Sequence, residues 1–281
     1  MASTGRARGA ASEAADAAGR AKDTAQDAAV KAERSRAATW VERVGQVANG
    51  VVHLIIGMLA FGVAFGAGGS ADQSGAMRAI QQTPLGGIAL WAVGIALIAL
   101  ALHAAVTAVA VSRRDAKEAL KAAGRGIAYA VVGSTALVYA VGGSSDGEES
   151  TESLSGELMA SPWGLWLVGL IGLVIAAVGI SFVVKGARRG FREDVAPPRR
   201  FRRLVDLAGT AGYVMKGLAV VVVGGLFVTA AFTHDAEQAG GLDGALQSLT
   251  TVPGGVFALI AIAVGLLLYG LYCFARSAWP R

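Results

Sequence analysis

Six runs of about twenty or more apolar residues dominate the chain, and polar segments separate them. Each run is long enough for a helix that crosses a hydrocarbon core of roughly 30 Å, because a helix rises about 1.5 Å per residue. The runs are apolar on all sides, whereas the helices of soluble bundles keep a polar stripe. The pattern therefore predicts six transmembrane helices, near residues 47–67, 86–111, 123–142, 163–184, 211–232 and 254–275.

The six runs form three copies of one two-helix unit. Each copy begins with a polar residue and a glycine, and a second glycine follows seven positions after the first, as in Gly50 and Gly57. A hydrophilic segment then leads to the motif Pro-x-Gly, as in Pro84 to Gly86. Such a repeat determines the fold, since each copy is one supersecondary unit. The other copies have the same frame, with Gly126, Gly133 and Pro162 in the second and Gly217, Gly224 and Pro253 in the third.

The repeat predicts an all-α polytopic membrane protein with three helical hairpins arranged about a pseudo-threefold axis along the membrane normal. A polar, Ala-rich tail precedes the hairpins and holds too few apolar side chains to bury a core. We expect this tail to be a partner-induced helix or a disordered segment. The predicted ranges are 1–42 for the tail, 43–111, 112–184 and 207–281 for the hairpins, and 185–206 for a basic loop.

The charge of the polar segments alternates along the chain. The tail and the segments 112–122 and 185–210 are rich in Lys and Arg, whereas 143–162 holds five acidic residues and no basic one. Basic loops stay in the cytoplasm. The alternation therefore predicts a multi-pass protein of a bacterial plasma membrane with both termini in the cytoplasm. The loops predicted outside are those near 68–84, 143–161 and 233–252.

The threefold frame resembles a family of bacterial integral membrane proteins known as domain of unknown function twelve-oh-six. The polar-Gly-x6-Gly openings, the loop motif Gly-Ala-x-x-x-Leu and the Pro-x-Gly sites carry the resemblance over residues 43–275. The family's opening motif is Ala-Arg-Gly, and Arg125 keeps the arginine while Asn49 and Lys216 replace it in the other copies. The resemblance implies the three-hairpin fold and no particular reaction or ligand.

The sequence carries no recognised catalytic motif, and no acidic residue falls within a predicted span. Acyl or phosphoryl transfer needs a nucleophile beside a base. Three scattered histidines without carboxylates do not have the spacing of a metal site. The chain has one cysteine, which rules out an intrachain disulfide. We therefore expect no enzymatic activity, no cofactor, no metal and no nucleic-acid partner.

Five polar residues within the predicted spans are the candidate site for a lipid headgroup or a solute. Asn49, Arg125 and Lys216 share one repeat position, roughly 5 Å inside the cytoplasmic boundary. His53 lies one turn deeper, and His103 reaches a similar depth on the neighbouring span, which places the two histidines within reach of each other. Ionisable groups within a span are costly and usually functional. A structural alternative stays open, in which the cations snorkel to the surface and the histidines are neutral.

Two functions follow from these features. The first is a non-enzymatic scaffold that binds lipid, anionic lipid in particular, or a partner membrane protein. The abundant glycines favour it, because small residues let helices pack closely in lipid. The alternative is a small-solute or ion pathway between the hairpins, which the two histidines within spans favour and the absence of acidic residues there disfavours.

Overall fold

The helices account for nearly all of the described secondary structure. A computed structural model of the protein describes residues 36–67, 69–112, 115–145, 147–161 and 163–281. The prediction of an all-α protein is confirmed for these residues, and the prediction for the tail falls mainly on 1–35, outside them. The helices are α1 (Arg36–Ala64), α2 (Gln73–Gln81), α3 (Gly86–Val111), α4 (Ala116–Ala140), α5 (Gly147–Met159), α6 (Gly164–Ala187), α7 (Arg202–Thr233), α8 (Leu242–Ser248) and α9 (Gly255–Ala278).

Five helices of the described chain are long and apolar enough to cross a membrane, namely α1 from Glu42 onward, α3, α6, α7 and α9. The chain thus has the helices of a multi-pass membrane protein. The remaining predicted span falls on α4, which is 25 residues long. Its first half carries four charged residues, and these make it more polar than the others: Lys117, Glu118, Lys121 and Arg125.

The chain divides into two compact units. Among the described residues, the minor unit comprises 36–42 and Ile98–Val131, and the major unit comprises Arg43–Leu97 and Val132–Arg281. The boundary between them falls within the helices α1, α3 and α4.

Glycines bring α6 and α7 into close contact in the major unit. A Cβ atom on Gly224 would lie 2.5 Å from the backbone nitrogen of Ala176 and 2.6 Å from the carbonyl oxygen of Gly172. A Cβ atom on Gly217 would lie 2.7 Å from the carbonyl oxygen of Gly179. Backbone at such distances excludes a side chain. The two glycines of the third repeat frame therefore lie in the contact surface of α7 with α6, as expected for helices packed in lipid.

The equivalent glycines of the first repeat place α1 against α9. A Cβ atom on Gly50 would lie 3.0 Å from the carbonyl oxygen of Gly270, and one on Gly57 would lie 3.1 Å from that of Ala263. Two turns of α1 therefore contact two turns of α9, and the glycines make room there for the backbone of α9 and for the Leu267 and Phe274 side chains.

The second repeat makes the same kind of contact between α4 and α3. Within the minor unit, a Cβ atom on Gly126 would lie 3.4 Å from the carbonyl oxygen of Ala101. Within the major unit, one on Gly94 would lie 3.2 Å from the carbonyl oxygen of Gly133. In all three repeats the frame glycines thus join the first helix of one repeat to the second helix of the preceding repeat. For the first repeat, the preceding one is the third, because α1 contacts α9.

A second set of glycines forms the turns from the short helices α2, α5 and α8 into the spans that follow. These are the glycines of Pro-x-Gly, and a Cβ atom would overlap the backbone at each of them. It would lie 2.0 Å from the carbonyl oxygen of Ile80 at Gly86, 1.5 Å from that of Leu158 at Gly164 and 1.8 Å from that of Leu249 at Gly255. The motif is therefore explained by one tight turn used three times.

Buried polar side chains join the short helices to one another in the major unit. The Asp243 carboxylate of α8, 3% exposed, accepts from the backbone nitrogen of Ala71 at 2.7 Å and from the Gln247 amide at 2.7 Å. Ser74 of α2 accepts from the backbone nitrogen of Gly147, at the start of α5, at 3.3 Å. Asp243 and Ser74 thus occupy equivalent positions in the third and first repeats. Asp243 contacts the polar segment of the first repeat, and Ser74 contacts that of the second.

Candidate functional site

Lys216 and His53 meet in the major unit, where α7 approaches α1. The Lys216 Nζ lies 3.0 Å from the His53 Nε2, and the His53 Nδ1 lies 2.8 Å from the carbonyl oxygen of Asn49. A carbonyl oxygen only accepts, so Nδ1 carries the ring hydrogen and Nε2 is left to accept from the lysine ammonium. The geometry makes the lysine side chain the donor and the unprotonated Nε2 of the histidine the acceptor.

Aromatic rings surround the ammonium group of Lys216. Its Nζ lies 4.1 Å from the ring centroid of Tyr269 on α9 and 5.6 Å from that of Phe182 on α6. The His53 ring, whose residue is 7% exposed, lies 4.7 Å from the Tyr269 ring. Ring faces attract a cation, and the attraction is stronger where water is excluded. Four helices therefore contribute to one partly buried cationic site.

Asn49 completes this site on the side of α9. Its Nδ2 donates to the Sγ of the buried Cys273 at 3.5 Å. We call Asn49, His53, Lys216, Tyr269 and Cys273 the His53–Lys216 site. It unites three of the five residues that the sequence singled out. Tyr269 and Cys273 were not predicted, because α9 carries no charge or motif at these positions and an apolar span pattern does not report facing contacts.

The other two predicted residues lie in the minor unit. The Arg125 side chain is 52% exposed, and its Nη2 lies 3.5 Å from the Oε1 of Glu118. His103 is partly buried, and its carbonyl oxygen accepts from the Thr107 hydroxyl at 2.9 Å. An encounter of His103 with His53 would join the two units and stays a prediction.

A cavity of about 290 Å³ lies at the predicted cytoplasmic end of the major unit. Arg192 donates to Asp206 through Nε at 2.8 Å and through Nη2 at 2.5 Å, and this hydrogen bonding raises the pKa of Arg192. Arg281 donates to the carbonyl oxygen of Arg192 at 3.2 Å. We call the cavity the basic cleft, and its lining consists of Arg192, Val195, Ala196, Pro197, Arg202, Val205, Asp206 and Arg281.

The end of α9 holds the cleft segment in place. The backbone nitrogen of Ala196 donates to the carbonyl oxygen of Trp279 at 2.9 Å, and the Phe201 ring stacks on the Trp279 ring at 5.3 Å. The fully buried Phe191 anchors the same segment, since its carbonyl oxygen accepts from the Tyr272 hydroxyl at 3.1 Å. The sequence predicted this basic segment as a loop, and the contacts give it a fixed backbone.

A second cavity, of about 380 Å³, lies at the other end of the spans in the major unit. Its lining has no charged side chain and consists of Val63, Ala64, Gly66, Ala67, Gly69, Gln247, Thr250 and Val256. This lining therefore differs from that of the basic cleft, which includes three arginines.

Comparison with known proteins identifies the three repeats. The family described as Domain of Unknown Function (DUF1206) matches residues 44–110, 120–189 and 211–279, which coincide with the three hairpins. An uncharacterized protein of Bacillus subtilis (strain 168), YxxB, is 29% identical over 254 residues, which is 86% of this chain and 92% of that relative. No solved structure matches. The predicted family and its tandem repeats are confirmed, and the chain belongs to the family DUF1206 with three copies of its repeat.

Proposed function

We propose that this protein is a non-enzymatic scaffold of the bacterial plasma membrane that binds anionic lipid at its cytoplasmic face. The observation that carries the proposal is the basic cleft. Asp206 offsets the charge of Arg192, so Arg202 and Arg281 supply the net positive charge of its lining. Guanidinium groups bind phosphate oxygens in a fork geometry. A phosphate-bearing headgroup fits this combination of charge and volume.

The surroundings of the cleft suit a lipid more than a free solute. Its apolar lining, Val195, Pro197 and Val205, matches the glycerol region of a lipid. Exposed arginines flank it. Each such charge near an anionic membrane surface makes the free energy of binding more favourable by about 1 kcal/mol. These flanking residues are Arg188, Arg189, Arg199, Arg200 and Arg203.

We further propose that α4 is a sixth span and that the hairpins are related by a pseudo-threefold axis. The three equivalent glycine contacts, with α1 on α9, α4 on α3 and α7 on α6, support this arrangement. The alternation of basic and acidic segments supports a topology with both termini in the cytoplasm. The cytoplasmic leaflet carries a negative surface potential, and the basic cleft would lie on that side.

The test is native mass spectrometry of the full chain extracted from bilayers that contain phosphatidylglycerol. The Arg202→Gln/Arg281→Gln variant removes two charges from the cleft, and the Arg199→Gln/Arg200→Gln variant removes two from its exposed flank. We expect the first variant to retain several-fold less phosphatidylglycerol than the second. Equal retention by wild type and both variants would reject the cleft as a lipid site.

The His53–Lys216 site favours a second function, a small-solute or ion pathway. A partly buried cation within a span is costly, and its retention is typical of a route for ions or protons. A flux assay in liposomes distinguishes the two functions. Ion flux that is lost in the Lys216→Met variant and kept in the Arg202→Gln/Arg281→Gln variant would support the pathway.

A further inference from the structure

We propose that His53 and Lys216 form a proton-binding site within the membrane-spanning part of the protein, which holds one proton when closed and opens when it binds a second. The site requires no bound lipid, so the inference goes beyond the proposed scaffold. Its basis is geometric. Two basic nitrogen atoms lie 3.0 Å apart between two spans, and one hydrogen bond joins them.

The positive charge of the pair has no acidic partner among the ion pairs of the described residues. Asp194, which is linked to the site through Tyr213, forms its ion pair with Lys185 at 2.8 Å. Neutral acceptors and ring faces therefore hold the Lys216 ammonium. Tyr269 of α9 contacts both members of the pair, and Cys273 of α9 is joined to it through Asn49. Beyond these residues, Tyr213 of α7 contacts the Tyr269 ring, Lys185 of α6 lies over the Tyr213 ring, and Arg276 of α9 acts electrostatically on Cys273.

One proton is compatible with the observed hydrogen bonds. With the lysine charged, Nζ donates to Nε2 of His53, and Nδ1 of His53 donates to the carbonyl oxygen of Asn49. A second proton has to be placed on Nε2 of His53, because the other ring nitrogen already carries a hydrogen. Both facing atoms are then donors, and the hydrogen bond between them is lost.

The doubly protonated pair also places two positive charges 3.0 Å apart in a partly buried site. Like charges repel strongly where water is excluded, so the doubly charged state favours separation of the two side chains. The His53 ring contacts α9 through Tyr269, and its Nδ1 is anchored on Asn49. Separation therefore disturbs the contact of α1 with both α7 and α9.

Cys273 is a natural reporter of this opening. It is the single cysteine of the chain, it is fully buried, and its Sγ accepts from Asn49, the same residue that accepts from His53. Access of a reagent to its thiol requires α1 and α9 to separate. A thiol-modification rate therefore measures the opened state without any added label.

The experiment measures modification of Cys273 by a maleimide in the full chain reconstituted in nanodiscs. The rate at about pH 8 and about pH 5.5 brackets the range in which histidine titrates. Each rate is divided by the rate of the denatured chain at the same pH, which removes the intrinsic pH dependence of the thiol. We expect the corrected rate of the wild type to rise by about tenfold on acidification.

Two variants assign the effect to the pair. The His53→Gln variant keeps a hydrogen-bonding side chain without a titrating ring, and the Lys216→Met variant removes the facing charge, so both should lose the rise. The matched control is His234→Asn at the exposed end of α7, where the positive φ of 59° suits asparagine, and this variant should keep the wild-type rise. A wild-type corrected rate that does not change with pH overturns the proposal. The same rise in His53→Gln, or its loss in His234→Asn, also overturns it.

Discussion

At the scale of single residues, neighbouring glycines in one helix differ sharply in their surroundings. A Cβ atom on Gly224 would lie 2.5 Å from the backbone of Ala176, whereas one on Gly225 meets nothing within 4 Å. We expect Gly224→Ala to destabilise the protein by roughly 1–3 kcal/mol, because the packed backbone of α6 has to shift. Thermal unfolding in detergent, followed by size-exclusion chromatography, measures the change.

Gly225→Ala is the matched control, since it introduces the same methyl group one position away. Alanine is favoured over glycine in a helix by roughly 1 kcal/mol, so this variant should be as stable as the wild type or slightly more stable. Equal destabilisation by both variants would show that the α6–α7 contact does not depend on the glycine of the repeat frame.

The repeat spacing predicts the location of some residues of the His53–Lys216 site but not their partners. Asn49 and Lys216 share a repeat position, and their location near the predicted cytoplasmic end of the spans follows from the spacing alone. Their partners do not follow, because the repeats differ at the next turn. His53 has Tyr129 and Val220 as its counterparts, and so the Lys216–His53 contact exists once.

At the scale of helices, the apolar pattern located the spans well where polarity changes abruptly. The predicted starts near 86, 163 and 254 lie within one residue of the observed starts of α3, α6 and α9, since a tight glycine turn precedes each. The pattern located α7 poorly at one end. The helix begins at Arg202 rather than near 211, because its first turns are charged and hydropathy detects only the apolar part.

The short helices depend on a buried carboxylate. Asp243 of α8 accepts from the backbone nitrogen of Ala71 at 2.7 Å, just before α2. We expect Asp243→Ala to lower the free energy of unfolding by about 1–3 kcal/mol, because a buried N–H group loses its acceptor. Gln247→Ala, which leaves the bond to Ala71 intact, should cost less. Equal unfolding temperatures for wild type and Asp243→Ala would contradict this role.

At the scale of the whole molecule, the alternation of charge predicts which segments face the cytoplasm. Ser145 lies in an acidic segment and Arg200 in the most basic one, and the two precede and follow the span α6. Both sites tolerate substitution on structural grounds. The carbonyl oxygen of Ser145, which any residue supplies, accepts from the Tyr139 hydroxyl, and the Arg200 side chain is exposed.

We expect a membrane-impermeant maleimide to label the Ser145→Cys variant in intact cells and to leave the Arg200→Cys variant unlabelled, because basic segments are retained in the cytoplasm. Permeabilised cells provide the control, in which both variants should react. The native Cys273 is buried and should give only a low background in the wild type. Labelling of the Arg200→Cys variant in intact cells would invert the topology and place the basic cleft outside. The proposed binding of anionic lipid at the cytoplasmic face would then be wrong as well.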